Sequence, residues 1–328
     1  MRIKIITLAN QRPDFIELQL NSIKKFITDL DIEYIVFNTA NNTNKSREID
    51  AVCKKLSIQT IKVVKSRFVK FIDYNVSRTV ARNLNWITKN YIKHQKDIVV
   101  VIDSDMFFIK QISIMDLIGE HNFVFVPAYR GPEFNVLFPW TGLMFFNLNT
   151  LPHPEKLNWD VGKILGHKVD VGGMNHFYLK KYQGALKILY LSTVTIQSIE
   201  IMRDLTRTID FSINGNLDFI INTTKDNNLI NIQQKNSSYS SKKSFPHQKE
   251  SEDYDNFILK NFIAFESFLK SKNLNFPNPL HIDLIKKEGE NVEDSFLFHY
   301  KAGSNYISYY TNEYNKKKTK ELQKLLNL

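Results

Sequence analysis

Ile98-Val99-Val100-Val101-Ile102 is an unbroken β-branched run that ends directly in Asp103-Ser104-Asp105. A run of this kind suits a strand buried on both faces, the condition of a central strand in a parallel sheet. Carboxylates at its end are then held at the sheet's rim, where α/β folds bind ligands. On extended backbone, Asp103 and Asp105 would point to opposite faces; in a turn they can converge on one hard cation, which prefers oxygen ligands. Mg²⁺ or Mn²⁺ held by few protein oxygens keeps positions open for a diphosphate. The same tripeptide is also ordinary turn and capping chemistry.

The residues before this run alternate between the two periods. Ile3 to Leu8 reads as a strand, and Arg12 to Leu30 as a helix with Pro13 near its start and apolar residues at Phe15, Leu18, Leu20, Ile23, Phe26 and Ile27. A strand over Ile32 to Phe37, a helix over Ser46 to Leu56, a strand over Gln59 to Val64 and a helix over Ser77 to Lys93 follow. Repeated βα units predict an α/β fold, a doubly wound and mostly parallel sheet with helices on both faces. Beyond the acidic turn, strands are expected at Asn122 to Pro127, Thr141 to Leu148, Leu186 to Ser192, Leu280 to Ile285 and Ser295 to Tyr300, with helices at Gly172 to Tyr182 and Tyr254 to Lys270. The polar stretch from about Thr223 to Asp255 has too few apolar residues to order itself alone and reads as a mobile insertion or lid, or as a crossing between subdomains.

At 328 residues the chain can bury a sizeable core, and its 24 Phe and 14 Tyr argue for a folded protein. A net charge of +10 admits nucleic acid, an anionic membrane surface or an anionic substrate as partner. The lysines concentrate in Lys316, Lys317, Lys318 and Lys320, near Tyr306, Tyr309, Tyr310 and Tyr314, rather than in a dispersed stripe. This argues against nucleic acid and suits a solvated terminal helix, with peripheral membrane contact through a basic, aromatic tail as the lesser alternative. Cys53 is the only cysteine, which excludes an internal disulfide and a cysteine-based zinc site. No stretch approaches the ~20 apolar residues of a membrane span, so a cytoplasmic protein is expected.

The segment SRTVARNLNWITKNYIKHQKDIVVVIDSDMFF, Ser77 to Phe108, resembles the metal-binding region of GT-A-fold, nucleotide-sugar-dependent glycosyltransferases, in which an Ala-Arg-Asn helix precedes a strand ending in Asp-x-Asp. Ala81-Arg82-Asn83 and Asp103-Ser104-Asp105 carry the likeness, most clearly within the first 200 or so residues. It implies a GT-A-like, Rossmann-like catalytic core over 1–200, a helical or low-complexity insertion or lid over 201–275, and a C-terminal return to the active site over 276–328. It also implies Mn²⁺ or Mg²⁺ as cofactor, a UDP- or GDP-sugar as donor, and a hydroxyl of a glycan, lipid or protein as acceptor.

On this resemblance Asp105 binds the metal and Asp103 contacts it directly, through water, or touches the donor ribose, with Ser104 beside them. His299, in FHYKAGSNY (Phe298 to Tyr306), is similar to a late histidine that supplies a third ligand in some of these enzymes. Imidazole suits Mn²⁺ better than Mg²⁺. Arg78 and Arg82, four apart and so on one helix face, and Lys301 would meet diphosphate oxygens. Thr7 and Asn10 after the first strand, Asn38 and Thr39 after the second, and Asp73 with Tyr74 fall where such folds hold the nucleoside, although each also fits a cap or core role. Trp140, Thr141 and Gly142, in FPWTGLMFFNL, would wall the sugar pocket. Asp170, in DVGGMNHF, is the acidic candidate facing the reacting sugars, with Gly172 and Gly173 permitting close backbone approach and His176 as a weaker alternative. The Glu-Asp pair of many inverting members does not occur around Asp170.

Rival readings fit less well. Dehalogenase-type phosphatases want Thr or Val where this chain has Phe107, and carry their motif on the first strand. A metal-dependent nucleotidyltransferase commonly has a glycine-rich N-terminal loop, whereas Thr7 to Phe15 has no glycine. A basic nucleic-acid or membrane-binding module would leave the two carboxylates unexplained.

Overall fold

The computed structural model describes residues 1–64, 76–131, 135–197, 218–223, 230–235, 281–290, 294–300, 320 and 323. The chain divides into two units: Met1–Ser192, Ile285–Glu290 and Asp294–Leu328 form the first, and Thr193–Leu284 with Asn291–Glu293 the second. Among the described residues, no helix is long and apolar enough to cross a membrane.

The first unit opens with β1 (Ile3–Ala9), α1 (Pro13–Phe26), β2 (Ile32–Asn38), α2 (Thr43–Lys55), β3 (Gln59–Lys62) and α3 (Val76–Asn90). Next come β4 (Ile98–Asp103), β5 (Met106–Phe108), α4 (Ile114–Ile118), β6 (Phe123–Arg130) and β7 (Val136–Asn147). The hairpin β8 (Gly162–Ile164) and β9 (His167–Val169) and the helix α5 (Asn175–Tyr182) precede β10 (Ile188–Gln197), whose early residues belong to this unit. In the second unit β11 (Asp218–Thr223) and β12 (Ile230–Lys235) pair antiparallel. The chain returns through β13 (His281–Lys287) and β14 (Leu297–Tyr300).

The large sheet has the order β3-β2-β1-β4-β7-β6-β10-β13-β14-β5. β3, β2, β1 and β4 run parallel, as do β6 and β10; β7 lies antiparallel between β4 and β6. The pleat of β4 divides its side chains between two cores. Ile98, Val100 and Ile102 pack with Ile16, Leu20 and Ile23 of α1 and Ile49 and Cys53 of α2. Val99 and Val101 pack with Leu84 and Ile87 of α3 and Tyr178 and Leu179 of α5. Helices therefore cover both faces of a mixed, mostly parallel sheet, the α/β architecture that the repeated βα units predicted.

Three departures from the sequence reading have physical causes. α1 stops at Phe26, not near Leu30, because Ile27 turns extended and bridges Ile112, with Thr28 donating to Ile112 O and Ile112 donating back to Phe26 O. β6 runs to Arg130, beyond the expected end at Pro127, and β7 begins at Val136, before the expected start at Thr141; Pro127 faces Pro139 where the ladder shifts register, so neither missing N–H interrupts a regular rung. α5 starts at Asn175, not Gly172, because Gly172 holds φ +84° in the preceding turn. The pair β11 and β12 places regular backbone within 201–275, and β12 lies in the stretch read as too polar to order alone. The helix expected over Tyr254 to Lys270 lies outside the described residues.

Candidate functional site

β4 delivers the acidic turn to its parallel neighbours' C-terminal ends: Ile102 pairs with Thr7, and Asp103 with Leu8, near the end of β1. The backbone turns at Ser104 and Asp105 and leaves as β5, which pairs antiparallel with β14 so that His299 faces Met106. Tyr300 N donates to Asp105 O at 2.9 Å, tying the strand of the histidine to the turn of the aspartates. Asp103, Asp105 and His299 each offer a ligand atom within 4.8 Å of the others. His299 Nε2 stands 3.6 Å from Asp105 Oδ1, an ion-pair separation beyond hydrogen-bond length.

The electrostatics of this group suit a cation. Burial pushes the Asp103 carboxyl well above the usual carboxylate range, the Asp105 carboxylate pushes it further, and His299 pulls the other way. Two carboxylates thus share a poorly solvated space, the condition a divalent ion relieves. The donor set of two carboxylates and one imidazole matches Mn²⁺, and Mg²⁺ less well.

A polar residue of α1, absent from the sequence reading of the site, grips this turn. Gln19 Nε2 donates to Asp103 O at 2.8 Å and to Met106 O at 2.7 Å, while Gln19 Oε1 accepts from the Tyr34 hydroxyl at 2.7 Å. Ser22 Oγ donates to Gln19 O at 2.8 Å and accepts from Phe108 N at 3.3 Å. Gln19 and Ser22 are both fully buried. The available signal was a polar residue on the apolar stripe, since Gln19 lies four residues from both Phe15 and Ile23.

β7 supplies the neighbouring wall. Ile102 pairs with Leu143, which brings Gly142 and Trp140 alongside and past the acidic turn. The Trp140 ring lies 5.2 Å from the His299 ring, centroid to centroid. It covers Gly142 so closely that a Cβ there would fall 2.4 Å from Trp140 Cζ2 and Cη2. Gly172 backs the same strand: a Cβ would lie 2.8 Å from Thr141 Cγ2 and 2.9 Å from Pro139 O. The Asp170–Gly173 turn therefore packs under the Trp140 segment, with Asp170 itself exposed. Gly172 N also donates to Trp159 O, whose indole N–H donates to Thr88 Oγ1 at 2.7 Å and whose backbone N–H donates to Asn85 Oδ1. The Trp159 loop thereby joins this turn to α3. On α3, Arg82 is half-buried and Arg78, one turn earlier, is exposed.

Several nucleoside-site candidates are used by the fold itself. Asn38 Nδ2 donates to Ser46 O, Ser46 Oγ and Asp50 Oδ1, and its Oδ1 accepts from Ala40 N, so its amide is committed to α2 and the loop before it. Thr39 Oγ1 donates to Ala9 O. Thr7 lies within β1, not after it, and its buried hydroxyl has no hydrogen-bond partner among the described residues. Asn10 is half-exposed in the bend that follows. His176 is buried, and its Nδ1 donates to Leu137 O at 3.1 Å, a packing role. Ser104 is buried in the turn. Asp73, Tyr74 and Lys301 lie outside the described residues, as do the tail residues Lys316, Lys317 and Lys318.

No family model and no curated protein matches the sequence. Solved structures share parts of the architecture. Galactosyltransferase LgtC, crystallised with donor and acceptor sugar analogs, aligns at 16% identity and a TM-score of 0.35 over 56% of this chain and 66% of its own. Mannosyltransferase PcManGT from Pyrobaculum calidifontis, in complex with GDP-Man and Mn²⁺, aligns at 14% identity and a TM-score of 0.38 over 58% of this chain and 54% of its own. The bifunctional glycosyltransferase WbbM aligns at 12% identity and a TM-score of 0.35 over 58% of this chain and 38% of its own. The alignments thus span less than two thirds of each of these proteins.

Proposed function

We propose that this chain is a metal-dependent glycosyltransferase that moves a sugar from a nucleoside diphosphate sugar, a UDP- or GDP-sugar, to a hydroxyl of a glycan, lipid or protein. The observation that carries the reading is the convergence of Asp103, Asp105 and His299 at the C-terminal ends of parallel strands, beside Trp140.

Asp103, Asp105 and His299 would hold the cation, which when bound would supply positive charge against the leaving diphosphate. Arg82, half-buried on α3, adds a planar fork of donors for diphosphate oxygens, with Arg78 and Lys301 as further cationic partners. Asn10 and Ser104 belong to the donor side, together with Asp73. The Trp140 face packs on the sugar ring, with Gly142 leaving room for it. Asp170 takes the acceptor's proton as general base if the reaction inverts the anomeric centre, and orients donor or acceptor hydroxyls if it retains it.

Hydrolysis and transfer measured with a panel of UDP- and GDP-sugars, with Mn²⁺, Mg²⁺ or EDTA, test the proposal. Expected are release of a nucleoside diphosphate from one donor, a preference for Mn²⁺, and a loss of at least about 100-fold in Asp105→Ala, the scale of losing one preorganised electrostatic contact to the transition state. Failure of every donor to turn over or to bind in calorimetry would overturn the reading. Release of pyrophosphate from a nucleoside triphosphate would instead assign a nucleotidyltransferase.

A further inference from the structure

We infer that Gln19 is a positioning residue for the metal ligands, setting the separation of Asp103 and Asp105 from the opposite side of the backbone; this rests on the metal-binding reading of the site. A primary amide carries two N–H donors and one carbonyl acceptor. Asp103 O and Met106 O, the groups within 2.8 Å of the Gln19 nitrogen, can only accept, so the NH₂ must face them and Oε1 must face the Tyr34 hydroxyl. The amide orientation is therefore fixed by chemistry. Tyr34 keeps its proton, since burial raises its phenol well above the ordinary value.

The two carbonyls that Gln19 holds flank the turn containing Ser104 and Asp105. One amide group thus clamps both ends of that turn to α1, while Ser22 receives Phe108 N two residues further on. On the other side, β14 and Tyr300 N bind the same segment and bring His299 with it. The ligand trio is consequently held between an α1 clamp and a β14 ladder. None of the Gln19 contacts reaches the ligand atoms themselves, so its effect passes through the backbone. An indirect orienting group of this kind typically alters metal affinity by about 10- to 100-fold.

Mn²⁺ binding to the full chain, followed by the electron paramagnetic resonance signal of the free ion, tests the inference without any turnover. Gln19→Met keeps an unbranched side chain of similar size and removes the clamp. Ile49→Ala, a core truncation on α2, supplies a destabilised control that leaves the Gln19 hydrogen bonds in place. Expected is a Mn²⁺ dissociation constant at least about ten-fold weaker in Gln19→Met than in wild type, with Ile49→Ala unchanged. If Gln19→Met does not fold, Tyr34→Phe decides, because it removes only the hydrogen bond that braces the amide at Oε1 against the turn: a several-fold weaker constant supports the inference. Wild-type affinity in the variant that folds, or equal weakening in Ile49→Ala, overturns it and leaves the metal site standing. Absence of Mn²⁺ uptake by the wild-type protein overturns the metal reading and this inference together.

Discussion

At the scale of single residues, the site depends on atoms that are missing as well as on those present. Gly142 has no side chain, and the Trp140 ring occupies the place where one would be. Gly142→Ala would put a methyl 2.4 Å from two ring atoms, a distance that cannot persist, so the indole must move. The obstacle is a side chain and not backbone, which makes the movement affordable for the fold. The expected outcome is a stable protein whose Trp140 has left its 5.2 Å contact with His299, with donor turnover reduced at least about ten-fold, in keeping with the cost of a misplaced positioning group. Tryptophan emission, referenced to Trp140→Phe so that Trp86 and Trp159 are subtracted, reads the displacement directly. Unchanged emission and turnover would show that the indole does not face the reacting sugar.

At the scale of elements, the helices act through their ends as much as through their apolar faces. Asp29, in the loop after α1, accepts from Ile114 N at 2.6 Å and from Ser113 Oγ at 3.1 Å, and so caps α4 from a distant part of the chain. Loss of this acceptor in Asp29→Ala should cost about 1 kcal/mol, the usual value of an N-cap, seen as a lower urea midpoint with an unchanged slope. The cap also explains what the sequence concealed. α4 has five residues and β5 three, too short for any hydrophobic period to declare itself, and both are defined by partners far along the chain. β4 was legible because its burial on both faces is written into consecutive β-branched residues, and the acidic turn because its chemistry sits within three residues. His299 was a candidate ligand only through the resemblance, since nothing local to Phe298 and Tyr300 marks it out; the pairing of β14 with β5 brings it to the aspartates. Gln19 escaped notice because a helical pattern is read from its apolar positions, and the meaning of a polar residue on that stripe depends on what packs against it. Asn38 shows the converse: its position at the end of β2 suggested a ligand contact, and its amide bonds to Ser46, Asp50 and Ala40, partners that the strand's own sequence does not announce.

At the scale of the whole molecule, the site joins segments that are far apart in sequence: α1, the end of β4, β7, and β14 near the chain's end. A ligand bridging such segments binds the folded first unit and not the unfolded chain, so it must raise the unfolding temperature by mass action. Saturation at a hundred times the dissociation constant contributes about 2.7 kcal/mol, which for a domain of about 200 residues corresponds to a rise of roughly 5 to 10 °C. Mn²⁺ together with the matching nucleoside diphosphate should produce this shift, and EDTA should reverse it. The protein without a cation carries a specific handicap that a bound ion would remove, since burial and the neighbouring Asp105 both oppose ionisation of Asp103. Asp105→Ala relieves that repulsion as well as deleting a ligand. Its expected signature is therefore twofold: an apo midpoint no lower than that of wild type, and little or no shift on adding Mn²⁺ and nucleotide. A variant that melts lower when apo yet retains the full ligand shift would place the cation elsewhere in the fold. Calorimetric melts of wild type and Asp105→Ala, each with and without Mn²⁺ and nucleotide, separate these outcomes, because electrostatic relief and ligand linkage move different members of the set.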